Sequence, residues 1–330
     1  MGVYIKNYVP KFSYSKLNTY DSCGFKYKLI YEDHHYTFTD SLATELGVLI
    51  HWVEEHIALD IMAGKEIDYD KFKNDFQSIN IPKTSPKDND GGIFGIEILQ
   101  QKYPEDFFSI KENGKSYADK CEQYLETGIY RLENYLKANP NIELKSAEQF
   151  FSIDYNGYTL SGYIDRLLYD KDRNVYIIED LKTKDHPFRD QELVTPMQFV
   201  IYALAVESMF EVDDNCIECA YNLPLCELRQ AAGTKGFIGR GKKKLDKWFE
   251  GINNKDFVPS PSPLCRWCSF CPNNPDQPEE AKRLCPYYSL WTPTNKNFKV
   301  AHEWEGIDKY SIAIEQVYGD NDKDYSDFDF

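Results

Sequence analysis

The sequence predicts an α/β fold, a central mixed sheet flanked by helices, with a helical N-terminal part and a C-terminal region that clusters cysteine. Three observations carry this expectation. Residues 150–178 read as consecutive strands joined by tight turns; segments 12–32, 44–56, 117–136 and 197–210 repeat apolar residues at helical spacing; and Cys265, Cys268, Cys271 and Cys285 follow in a Pro-rich stretch.

The first helical segment, 12–32, has Ser15 near its start, Leu17, Tyr20 and Tyr27 on its apolar face, and Cys23 within it. The second, 44–56, carries Gly47, His51 and His56; a histidine on an apolar helix face is either a hydrogen-bonded core residue or a ligand. Residues 76–115 hold Pro82, Pro86, Pro104 and the run Asp88-Asn89-Asp90-Gly91-Gly92, and form a loop-rich insertion with a short helix at 94–102. From Tyr117 to Leu136 the apolar spacing is helical again, which places Cys121 in the core.

The strands come next. Phe150, Phe151, Ile153 and Tyr155 lead to Asn156-Gly157, a dipeptide that accepts positive φ in a two-residue hairpin turn. The returning strand, 158–169, carries Asp165. The polar turn 170–174 opens into Val175-Tyr176-Ile177-Ile178, then Glu179-Asp180-Leu181-Lys182. Side chains alternate along a strand, so Asp180 and Lys182 share a side and Leu181 takes the other. Two carboxylates and an ammonium at one sheet edge suit a hard divalent cation and an anionic substrate. Thr195 and Pro196 then cap a helix over 197–210, whose Gln198 and Tyr202, four apart, share a face. Cys216 and Cys219 have metal-ligand spacing but sit in the alternating pattern of a strand.

The ordered set Gly47-x3-His51, Gly162-Tyr163-Ile164-Asp165-Arg166, Ile178-Glu179-Asp180-Leu181-Lys182-Thr183 and Gln198-x3-Tyr202 resembles the RecB-like exonuclease branch of the PD-(D/E)XK nuclease superfamily. The resemblance implies a restriction-endonuclease-like core and a site in which His51, Asp165, Asp180 and the Leu181 carbonyl hold Mg2+ or Mn2+. Lys182 would orient the attacking water, Gln198 and Tyr202 would steady the site and contact DNA, and Arg166 would position the scissile strand. Glu148 falls where the family often has a glutamate, and is otherwise a solvated strand residue. The implied substrate is single-stranded or free-ended DNA, in recombination, repair, CRISPR adaptation or phage DNA metabolism. The alternative is a nuclease-fold recruitment subunit of a DNA-processing complex.

Cysteines at this spacing in a Pro-rich loop converge on zinc or on an iron–sulfur cluster. Ser15-x-Leu17-x2-Tyr20-x2-Cys23 is similar to the opening motif of iron–sulfur members of that branch, CRISPR-associated and AddB-like. The resemblance therefore implies a [4Fe-4S] cluster on Cys23, Cys265, Cys268 and Cys285, with Cys271 in reserve and Zn2+ as the alternative. On this view 1–290 is one nuclease domain, 291–318 an extension and 319–330 an acidic, disordered tail. That tail either docks a replication, recombination or CRISPR-adaptation protein or only solubilises the chain.

Bulk properties bound the rest. A formal net charge of −16 excludes a protein that coats nucleic acid with its whole surface, but not a focused basic groove. Lys184, Arg240, Lys242, Lys243 and Lys244 are the cations expected to contact the DNA backbone, the last four in a Gly- and Lys-rich stretch. No run of about 18 apolar residues is present, so no membrane span is expected. The N-terminus lacks an apolar signal core, and a cytoplasmic location is expected.

Overall fold

The computed structural model describes residues 10–35, 41–82, 92–110, 114–260, 265, 268–270 and 284–285. The chain divides into two compact units, Met1–Tyr14 with Asp40–Lys244, and Ser15–Thr39 with Leu245–Phe330. Cys271, part of the 76–115 insertion, the 291–318 extension and the acidic tail lie outside the described residues.

In chain order the elements are β1 (Lys11–Phe12), α1 (Tyr14–Ser22), α2 (Gly24–Tyr27), α3 (Leu42–Met62), α4 (Tyr69–Ser78), β2 (Asn80–Ile81) and β3 (Ile93–Phe94). There follow α5 (Ile96–Lys102), α6 (Pro104–Phe108), α7 (Tyr117–Glu126), α8 (Arg131–Ala138), β4 (Ile142–Tyr155), β5 (Tyr158–Asp170), β6 (Val175–Leu181), α9 (Asp190–Val194), α10 (Met197–Phe210), β7 (Ile217–Leu223), β8 (Leu228–Ala232) and α11 (Phe237–Asn253). The central sheet is mixed, in the order β1-β5-β6-β7-β8 with β4 on the other edge of β5. β4–β5, β5–β6 and β7–β8 are antiparallel, while β6–β7 is parallel and needs the α10 crossover between them.

Asn156 and Gly157 take φ of 51° and 86°, so both turn residues occupy the left-handed region and the β4–β5 hairpin forms in the expected register. α3 starts earlier than its apolar repeat suggested because Ser41 caps it, its hydroxyl accepting the Thr44 N–H at 3.3 Å. Leu46, Leu49, Ile50 and Val53 of α3 pack with Phe72, Phe76, Phe107, Tyr124, Leu168, Ile177 and Leu181 in one core. The helix expected over 117–136 is broken at Thr127-Gly128, and Cys121 is 2% exposed in the core.

Residues 190–210 are apolar and long enough by composition to cross a membrane. They are interrupted at Thr195-Pro196, and Phe199, Val200, Ile201, Ala203, Ala205 and Val206 are fully buried against the fold, as a core helix should be. Thr195 does not cap α10; its hydroxyl instead accepts a hydrogen bond from Arg240 Nε at 3.1 Å.

In the second unit the helix expected over 12–32 breaks at Cys23. That residue is extended (φ −165°, ψ 110°) and caps α2, its sulfur accepting the Lys26 N–H at 3.4 Å and the Ser260 N–H at 3.5 Å. Cys23, Cys268 and Cys285 all pack against a small core of Phe25, Leu29 and Phe270. Burial pushes the Cys268 thiol up, and the Phe270 N–H bonded to its sulfur acts the other way.

Candidate active site

Four elements, β4, β5, β6 and α3, meet at the site. β6 ends with Asp180 paired to Tyr221 and Leu181 to Asn222, and the Lys182 N–H donates to the Asn222 carbonyl at 2.9 Å. The ladder thus holds the backbone of Asp180-Leu181-Lys182 rigid. Leu181 is buried in the core, while the Lys182 ammonium lies 2.7 Å from Asp180 Oδ2 on the opposite side.

Asp165 reaches the site from β5, where its Oδ2 accepts the Leu181 N–H at 2.7 Å. α3 brings His51, whose Nε2 lies 3.1 Å from the Leu181 carbonyl and whose Nδ1 lies 3.9 Å from both Asp165 Oδ2 and Glu148 Oε1. Burial disfavours protonation of this imidazole. Its contact with Glu148 and the charges of Asp165, Glu148 and Asp180 outweigh that, and the pKa is held above the ordinary histidine value.

Among the described residues, one group of three metal-ligating side chains converges within 4.8 Å, namely His51, Glu148 and Asp165. Glu148 has φ 46°, a left-handed conformation unusual for a non-glycine residue and costly inside a strand. The sequence left Glu148 between a glutamate common in the family and a solvated strand residue; its carboxylate lies 3.9 Å from His51 Nδ1, and no local sequence signal announces the left-handed backbone there.

Asp180 lies at the same end of β6. It is 0% exposed, both of its oxygens are buried without a hydrogen bond, and the Lys182 ammonium 2.7 Å from Oδ2 forms an ion pair with it. A buried carboxylate is unfavourable without compensating charge, and the Lys182 ammonium supplies one such charge. Burial and then the charge of Asp165 push its carboxyl up to about 7, against the pull of Lys182 and His51. The converging imidazole and two carboxylates, with the Asp180 carboxylate nearby, fit a hard divalent cation.

The raised value has a consequence for stability. A carboxyl whose folded pKa lies above its unfolded value contributes stability that is complete below the unfolded value, about 4, and is lost as pH rises through the folded value, about 7. In EDTA, Asp180→Asn should therefore have a flatter profile of Tm against pH between about 4 and 7 than the wild type. The difference should reach on the order of 3 kcal/mol, and added Mg2+ should restore only the wild type. Parallel profiles for the two proteins would refute this.

Gln198 and Tyr202 meet on α10, Nε2 donating to the tyrosine hydroxyl at 2.8 Å. Tyr202 is 6% exposed, and burial, with the charges of Asp165 and Asp180, raises its pKa far above the ordinary phenol value. It stays a neutral hydroxyl beside the carboxylates.

Arg166 corrects the sequence expectation. It alternates to the face opposite Asp165, is 3% exposed, and pairs with Glu54 at 3.3 Å and Glu179 at 3.2 Å. A guanidinium so enclosed cannot position a DNA strand. Lys184 is half-buried with its ammonium 3.8 Å from the Phe188 ring centroid.

The glycine-rich basic stretch is also not a phosphate-cradling loop. Most of it is α11, where Gly241 allows close packing: a Cβ there would lie 2.2 Å from Val200 Cγ2. Arg240 hydrogen-bonds Thr195, Lys235, Val194 and Thr234, which occupies its guanidinium, and Lys242 pairs with Glu207 at 3.2 Å. Lys243 and Lys244 are exposed on the same helix.

Residues 11–272 match the family model of the PD-(D/E)XK nuclease superfamily. No curated protein matches the chain. Among solved structures the chain is similar to a protein called "Putative exonuclease" from Eubacterium rectale, with 13% identity, 81% of this chain and 92% of that chain covered, and a TM-score of 0.43. It is also similar to the protein SSO0001, with 19% identity, 52% of this chain and 76% of that chain covered, and a TM-score of 0.24.

Proposed function

Because the chain belongs to the PD-(D/E)XK nuclease superfamily, we propose that it is a Mg2+- or Mn2+-dependent deoxyribonuclease that shortens DNA strands from free ends. The observation that carries this is the meeting of His51, Glu148 and Asp165 within 4.8 Å, beside an Asp180 carboxylate that is buried without a hydrogen bond. His51, Glu148, Asp165, Asp180 and the Leu181 carbonyl would hold the ion, which supplies a Lewis acid at the scissile phosphate.

The chain's own residues do the rest. Lys182 points its ammonium into the same space, where it orients the attacking water and offsets charge that develops on the phosphate. Tyr202 and Gln198 present neutral hydrogen-bonding groups beside the carboxylates without adding charge. Lys184, Lys243 and Lys244 are the candidates for backbone contacts, while Arg240 and Lys242 are engaged by Thr195, Val194, Thr234, Lys235 and Glu207.

The test uses end-labelled single- and double-stranded DNA with Mn2+, and compares the wild type with Asp165→Ala. Progressive loss of label by the wild type alone, abolished by EDTA, is expected. Cleavage that survives EDTA, or that the variant performs equally well, would remove the assignment.

Cys23, Cys265, Cys268 and Cys285 would hold a [4Fe-4S] cluster, with Zn2+ as the alternative. Backbone N–H groups already bond the sulfurs of Cys23 and Cys268, a kind of contact that tunes iron–sulfur centres. Anaerobically purified protein should carry iron and visible charge-transfer absorbance that Cys23→Ser loses; zinc without iron would refute the cluster.

A further inference from the structure

We infer that Phe150 and Tyr163 form a stacking platform for the unpaired bases of a strand held at the site. This rests on the nuclease reading above. The two residues are 49% and 56% exposed. They lie directly opposite one another in the β4–β5 ladder, with ring centroids 5.2 Å apart and planes inclined by 56°. Their neighbours turn inward: Phe151 and Ile164 are 3% and 0% exposed, and Phe151 packs edge-on against Tyr202.

A cross-strand aromatic pair helps hold a hairpin together. That role does not require two ring faces in water on a ladder that already has Phe151, Ile153, Leu160 and Ile164 buried on its other side.

The position of the pair says what covers it. Tyr163 and Asp165 are two residues apart on β5 with the buried Ile164 between them, so strand alternation places ring and carboxylate on one side, roughly 7 Å apart along the strand. On β4, Phe150 stands two residues from Glu148, another of the converging ligands. Through Tyr163, the exposed pair is therefore next to Asp165, one of the converging ligands that would hold the ion.

Moving away from the site, the next rung pairs Ser152 with Ser161, and a further one pairs Asp154 with Thr159. The exposed Asp154 carboxylate repels phosphate, which limits the platform to one or two nucleotides. Neither ring offers the paired donors and acceptors that read a base edge. An open π-face accepts any unpaired base, whereas the bases of a duplex are already stacked on one another.

The test measures KM and kcat on an end-labelled single strand and on the same strand with abasic sites in the residues nearest the label, using wild type, Phe150→Leu/Tyr163→Leu and Tyr163→Phe. Leucine keeps the hairpin apolar but removes the ring faces. The double variant should raise KM about tenfold on the normal strand with kcat little changed. It should match the wild type on the abasic strand, and Tyr163→Phe should behave as wild type throughout.

An unchanged KM on the normal strand, or an equal rise on both strands, would overturn the platform. So would a fall in oligomeric state of the double variant in sedimentation, which would mark the pair as a contact between copies. A wild type that cleaves neither strand would instead overturn the nuclease reading, which separates the two failures.

Discussion

Lys182→Ala is expected to lower kcat by about a thousandfold while leaving KM within a few-fold, because it removes one preorganised cation from the place where charge develops in the transition state. The geometry makes this residue hard to replace. Its backbone is fixed by the bond to the Asn222 carbonyl, and its ammonium lies 2.7 Å from Asp180 Oδ2 with 34% of the side chain exposed, which leaves it open to a substrate. Lys182→Arg should rescue little, since a planar fork cannot place a point charge at the same spot. The fold should survive, because the Asp180 carboxyl, already pushed up to about 7, takes up a proton when its cation is lost. Steady-state kinetics on end-labelled DNA, with circular dichroism to confirm folding, check this; a kcat within tenfold of wild type would remove Lys182 from the chemistry.

Much of this site follows from short-range rules that a sequence displays. The two-residue period of a strand is enough to put Asp180 and Lys182 together and Leu181 in the core, and Asn156-Gly157 fixes the hairpin that carries Asp165. The same period also applied to Arg166. A charged residue beside a motif aspartate invites a role in substrate binding, but a one-residue step along β5 sends it to the opposite face, into the interior.

What was hidden depends on backbone geometry or on partners distant in sequence. Glu148 lies beside His51 and takes a positive φ that no neighbouring residue dictates. Cys23 lies at a break between α1 and α2 although the apolar spacing runs on through it. The glycines of the Lys-rich stretch do not announce a helix, because the Val200 side chain that needs the space at Gly241 lies far back in the chain.

The buried face behind the site should dominate stability. Arg166→Ala is expected to destabilise the fold by about 3–5 kcal/mol, since it leaves two enclosed carboxylates without their shared cation. Arg166 bridges Glu54 at 3.3 Å and Glu179 at 3.2 Å, Glu54 also accepts from the Tyr124 hydroxyl at 3.0 Å, and Glu179 has a second partner in Arg229 at 2.7 Å. Burial drives the Glu54 carboxyl up even with Arg166 present, whereas Arg166 and Arg229 together overcome burial at Glu179 and hold it below the ordinary carboxylate range.

Without Arg166 both carboxyls shift upward and bind protons, so the loss measured by denaturant unfolding should be smaller at pH 5 than at pH 8. The network also stands directly behind the ligands: Arg166 follows Asp165, Glu179 precedes Asp180, and Glu54 lies one helical turn from His51. Arg166→Met, which fills the space without the charge, should therefore weaken divalent-ion binding as well as the fold. A loss of stability that is equal at both pH values, with ion affinity unchanged, would show that Arg166 only fills volume and does not register the strands that carry the site.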